Sequence, residues 1–228
     1  MVSSAGGTPT GEPDSLALAR LITRGRLGSY LTAAGGDLRR ALALYDWNTR
    51  ASAAVLATSA MVEVIVRNAL DVSLQQWADQ RRGGGDWLDV APLDAQGRAD
   101  VLKARERATR RGRDAEVHGK VVAELSFGFW RYLVASRYLT ALWVPGAHAA
   151  FPNGPADLRL RREQVERRLH NLMIVRNRAA HHEPIHRRDL ARDFRDAVEV
   201  SGWVHTQGAV WLRARSDLLQ VAAERQRL

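Results

Sequence analysis

An arginine, an asparagine and two histidines stand within seven positions of one another in the stretch LMIVRNRAAHHEPI, residues 172–185. On a helix that turns about 100° per residue, Asn177 and His181 share a face. The Asn177 amide can therefore hydrogen-bond the imidazole and fix its tautomer. Arg176 and His181 point about 140° apart on a continuous helix. They converge on one phosphate only if the helix ends near His181 or if a second copy of the chain supplies the other group. Pro184 favours the first, because the residue before a proline avoids the α region. A two-fold interface would bring the second.

Such a set suits RNA cleavage by the internal 2′-hydroxyl. One imidazole takes the 2′-OH proton and another protonates the leaving 5′-oxygen, while arginine holds the phosphate. His182 is a second candidate for the histidine. No metal and no cofactor is needed. His181, His182, Glu183 and His186 do not have the i, i+4 helical spacing of a zinc protease, so no metal site is expected. The competing reading is structural: histidines at a helix end are also favoured by the dipole.

A near-copy, EVIVRNAL, spans residues 63–70 without histidines. Glu63 and Arg67 form an i, i+4 pair in the favourable order, and in an apolar helix they would be buried only if paired. Glu63, Arg67 and Asn68 are expected to form a polar network supporting the active helix. The run KARERATRRGR carries Lys103, Arg105, Arg107, Arg110, Arg111 and Arg113 with one acid. By default it is a solvated face; in an RNA-binding protein it is the first candidate for phosphate contacts. Phe127, Phe129, Trp130, Tyr132 and Tyr138 sit among aliphatic neighbours and read as core rather than as a base-stacking platform.

The elements that must position these groups are helical. Residues 1–13 are small, polar and rich in Gly and Pro, and read as a disordered tail. Residues 14–228 read as a single domain. Leu16, Leu18, Leu21 and Ile22 fall near one face of a first helix, broken at Gly25 and Gly28. Asp37 caps the next, and Asn48 or Thr49 is expected to start a separate, longer one. Residues 81–97 read as a loop, followed by a basic helix to about Gly112. Ser126-Phe-Gly-Phe marks a joint between two helices, residues 145–155 a loop, and the helix bearing Arg176 stops at Glu183-Pro184. Two more amphipathic stretches close the chain. No two-residue alternation stands out, so essentially no sheet is expected.

Composition narrows the partners. The formal net charge is +9 and the chain has 46% hydrophobic residues. Such an excess favours anionic partners, nucleic acid first, although an arginine bias in a GC-rich genome would give the same balance. There is no cysteine, which excludes disulfides, thiolate chemistry and cysteine-based zinc sites. No signal-peptide pattern and no uninterrupted apolar run of about 20 residues is evident, so a cytoplasmic protein is expected. No nucleotide-binding loop of the G-x4-G-K-[ST] type is present.

Four blocks in order resemble the Abi-like family of bacterial abortive-infection proteins, within the HEPN superfamily. They are SYLTAAGGDLRRALALYDWN, MVEVIVRNAL, ELSFGFWRYL and VRNRAAHHEPI, together covering roughly residues 27–190. The resemblance implies a HEPN-type helical bundle with additional N- and C-terminal helices. It implies a homodimer whose Arg-x4-His motifs meet in an interfacial cleft, metal-independent endoribonuclease activity, and a role in phage defence or as a toxin-like enzyme with an antitoxin or regulatory partner. Arg176 and His181 match the motif's arginine and histidine, and Asn177 the polar residue after the arginine. The alternatives are a non-catalytic RNA-binding or protein-interaction module, and a structural helical subunit.

Overall fold

A computed structural model describes residues 14–81 and 83–227. The segment read as a tail lies outside them. Among the described residues there are eleven α-helices with short 3-10 and π segments, and no strand. The expected all-α class is observed.

The organising element is α3, Leu38–Arg81, a single helix of 44 residues. Asp37 Oδ1 accepts the Arg40 amide at 3.1 Å and caps it as expected. The expected break at Asn48 is not there. No glycine or proline interrupts residues 38–81, and the Asn48 side chain reaches a distant part of the chain instead of capping. Ala41, Leu44, Trp47, Ala51, Val55, Val62, Val66, Leu70, Leu74 and Trp77 are all buried. Their spacing of three, four or seven draws one apolar seam along the rod. An 18-residue window of this helix reaches a mean hydropathy of 1.5 with at most two charged residues, enough by length and composition for a membrane span. The helix is not an uninterrupted apolar run, and the core helix of a soluble protein passes the same test.

Around α3 pack α2 (Arg24–Ala33), α8 (Leu158–Ala180), α9 (Leu190–Val204) and α11 (Leu218–Glu224). The short α1 (Ser15–Ile22) buries no residue. A four-residue α4 (Trp87–Val90) interrupts the expected loop at 81–97, and α5 (Ala95–Ala108) starts earlier than expected because Asp94 Oδ1 accepts the Gly97 amide at 2.8 Å. The joint at Ser126 is real: its hydroxyl caps α7 (Phe127–Leu133), at an angle to α6 (His118–Glu124). Trp87, Phe127, Phe129, Trp130 and Tyr138 are buried in one continuous core that runs from Tyr30 to Leu218, as expected of that aromatic stretch. Tyr132 is exposed. Gly146 lies so close to Trp77 of α3 that a Cβ would meet the Trp77 Cβ at 2.6 Å, so only glycine lets this segment seat. The last α-helix before the C-terminal pair, α9, is followed directly by α10 (Thr206–Arg215).

Candidate functional site

Buried positions of α8 include Val165, Arg168, Leu169, Leu172, Val175 and Ala179. This face packs inward, and the helical period then fixes where the polar groups go. Arg176 sits at the edge facing α3. His170, Ile174, Asn177 and His181 recur at intervals of four, three and four on the side away from that face, the first two half-buried and the last two exposed, and form an outward stripe only towards the helix end. Arg178 lies on the opposite edge from Arg176.

The helix ends in a Schellman arrangement. His181 is its C-cap, His182 follows with φ of 56°, and the Glu183 amide donates back to Arg178 O at 2.8 Å while the His182 amide donates to Ala179 O at 3.1 Å. Glycine usually takes the left-handed position because a side chain there is disfavoured; here it is a histidine. Two distant residues pin the turn. The Arg26 guanidinium of α2 donates to the His182 carbonyl. The buried Ile185 amide donates to Asn48 Oδ1 at 2.8 Å. The side chains of His181 and His182 are exposed and make no hydrogen bond or ion pair among the described residues.

Asn177 does not hold His181. Its Oδ1 accepts from Arg176 Nη1 at 3.3 Å instead, because His181 already lies at the helix end and turns outward. The same bond biases the arginine side chain. Glu63 is near Arg176 across the α3–α8 contact and near Arg67 one turn further along α3. Burial raises its pKa, against the lowering by those two arginines. The expected network is thus Coulombic, with no hydrogen bond between Glu63 and Arg67, and Arg67 Nε is buried without a partner. Asn68 is exposed and takes no part.

His186, two residues beyond Pro184, is buried at 1% exposure. Its ring centroid lies 5.0 Å from that of Tyr30. Burial lowers its pKa, and the charges of Arg225, Arg187 and Arg178 act in the same direction, so the neutral imidazole is favoured, and its burial keeps it from the exposed surface where His181 and His182 stand.

The basic run, which starts on α5 and continues past its end, is half neutralised. Arg105 pairs with Asp89 at 2.7 Å and Glu116 at 3.2 Å, Arg107 with Glu124 at 2.8 Å and Arg110 with Asp114 at 3.4 Å. Lys103, Arg111 and Arg113 are exposed and unpaired among the described residues, so half of the expected phosphate contacts remain free.

Two clefts flank the end of α8, each of about 490 Å³. One lies between α8 and α9, walled by Arg178, Arg187, Arg188 and Arg192. Arg188 is held by Asp193 at 2.7 and 2.8 Å, whereas Arg187 and Arg192 have unpaired side chains among the described residues. The other lies between α2, α3 and the turn, with His182 at its rim. Arg26, which anchors the turn, carried no signal in the sequence; only its place in the fold shows its part. No group of three or more His, Asp or Glu with metal-holding geometry occurs among the described residues.

No family model, no curated protein and no solved structure matches this chain.

Proposed function

We propose that this protein is a metal-independent endoribonuclease of the HEPN, abortive-infection type, acting in the cytoplasm on RNA as a homodimer. The observation that carries this is the end of α8, where two unpaired, exposed imidazoles follow Arg176 within two helical turns. Arg176 would hold the scissile phosphate, His181 or His182 would take the 2′-OH proton, and an imidazole would protonate the leaving 5′-oxygen. Arg176 donates to Asn177 and not to His181, so the arginine and the imidazole are not held together within one chain. A second copy across a two-fold axis on the outward stripe of α8 would supply the missing partner. A role in phage defence, with an antitoxin or regulatory partner, follows from the family resemblance alone.

A second function is favoured by the same divergence: a non-catalytic RNA-binding module, in which the unpaired arginines beside α8 hold phosphates without cleaving. The deciding experiment is cleavage of a mixed tRNA and mRNA pool in EDTA, with sedimentation of the protein alongside. Ribonuclease activity predicts 2′,3′-cyclic phosphate ends, a two-chain mass, and losses of at least about 100-fold in Arg176→Ala and in one of His181→Ala and His182→Ala. Intact RNA that still binds with strong salt dependence would leave the binding module.

A further inference from the structure

The cleft between α2, α3 and the α8 turn has the make-up of a site for a flat polar ring rather than for a phosphate. Its volume of about 490 Å³ exceeds what a nucleoside needs, and it is open to solvent at the His182 rim. Leu56, 36% exposed, and the half-buried Tyr45 ring supply apolar wall. Tyr45 meets Tyr30 edge-on at 5.2 Å between centroids, which fixes its ring.

Three polar groups in or behind that wall lack partners. Asn48 is 4% exposed, and its Oδ1 is taken by the Ile185 amide, which leaves the Nδ2 donors free. Ser52 Oγ and Tyr30 Oη are buried without a hydrogen bond, in residues 8% and 0% exposed. Buried donors and acceptors are ordinarily satisfied, and leaving one unmade is unfavourable by about 1–3 kcal/mol. Tyr30 Oη has no exposed surface and lies behind the wall; Asn48 Nδ2 and the Ser52 hydroxyl, with apolar surface beside them, match ligand sites in which a few convergent polar groups orient an otherwise apolar contact. An aliphatic occupant would leave these groups unsatisfied. A nucleobase offers both ring faces to Tyr45 and Leu56 and edge donors and acceptors to Asn48 and Ser52.

We infer that this cleft binds one unstacked base of single-stranded RNA, adjacent to the bond cut at His181 or His182, and so sets the sequence preference of cleavage. The inference builds on the proposed ribonuclease function. Arg26 stands at the same cleft with its guanidinium on the His182 carbonyl, so a seated base and the position of the histidine turn are coupled.

The test is titration of the full-length protein with the four nucleoside 3′-monophosphates and with ribose 5-phosphate, followed by calorimetry. Leu56→Trp fills the mouth from an exposed position, and Ser52→Ala removes one hydroxyl; thermal melting establishes that both fold. The expected result is one nucleotide binding at least tenfold more tightly than ribose 5-phosphate and than the weakest nucleotide. That margin falls at least fivefold in each variant. Equal binding of all four nucleotides, or a preference untouched by both variants, overturns the base site whether or not RNA is cut. Selective binding without RNA cleavage keeps the base site and removes the ribonuclease function.

Discussion

The Glu183 amide donates to the Arg178 carbonyl at 2.8 Å, and between them His182 is turned to a φ of 56°. A left-handed conformation disfavours a side chain by roughly 1–2 kcal/mol, though histidine tolerates it better than branched residues. Substitution separates conformation from chemistry. His182→Asn should leave the melting temperature within about 2 °C, and His182→Val should lower it by a few degrees, as expected for about 1–2 kcal/mol in a domain of this size. If RNA cleavage falls in both by the same factor, the imidazole itself matters; if it follows the melting temperature, only the turn does.

Asn48 and Ile185 join parts of the chain 137 residues apart through one buried hydrogen bond. Asn48→Ala would leave the Ile185 amide orphaned, which is unfavourable by about 1–3 kcal/mol. A melting temperature lower by roughly 4–8 °C is expected for about 2 kcal/mol, with faster amide exchange confined first to residues 181–188. Unchanged exchange there would show that Arg26 holds the turn alone.

Glu63 stands against two guanidinium groups in a half-buried setting. Glu63→Gln keeps its size and removes the charge. Because burial outweighs the two arginines and raises the Glu63 pKa, Glu63→Gln should not lower stability in denaturant unfolding, and its combination with Arg67→Gln measures how far the two are coupled. An additive pair would mean that the two do not interact.

His118 bridges Asp71 and Asp86 at 2.8 and 2.9 Å. Burial opposes its protonation, but the hydrogen bonds and charges of the two carboxylates outweigh this and raise its pKa. Only the imidazolium donates from both nitrogens. A raised folded pKa means that the stabilisation is fully present below the unfolded value of about 6.5 and is lost as pH rises through the folded one. The difference in melting temperature between wild type and His118→Gln should therefore shrink as pH rises above about 6.5. His186, with its pKa lowered by burial, acts in the opposite sense: its contribution is present above about 6.5 and lost on acidification. A His118→Gln difference that is flat with pH would mean that the bridge holds no proton.

Much of the helical frame was legible because local rules govern it. Asp37 caps where a cap was expected, a joint between two helices falls at Ser126 as expected, and the period of α8 put Arg176 and His181 on different sides. What stayed hidden depends on long-range partners. Asn48 resembles a helix start until its bond to Ile185 is known. The α5 arginines resemble a free basic face, yet they meet Asp89, Glu116 and Glu124 from other segments. His186 has the neighbours of a surface loop residue, and only the Tyr30 ring across the fold accounts for its burial.

The length of α3 also fixes how the protein can be dissected. At about 1.5 Å per residue its 44 residues extend for roughly 66 Å, and nearly every other large helix leans on some part of it. Asn48 near one end braces the histidine turn, while Asp71 near the other holds His118. A fragment ending anywhere between these residues would strip one region of its support and leave an apolar seam without a partner. The molecule therefore has no natural midpoint at which it can be halved, and expression trials that aim for a smaller folded piece should trim from α1, which buries no residue.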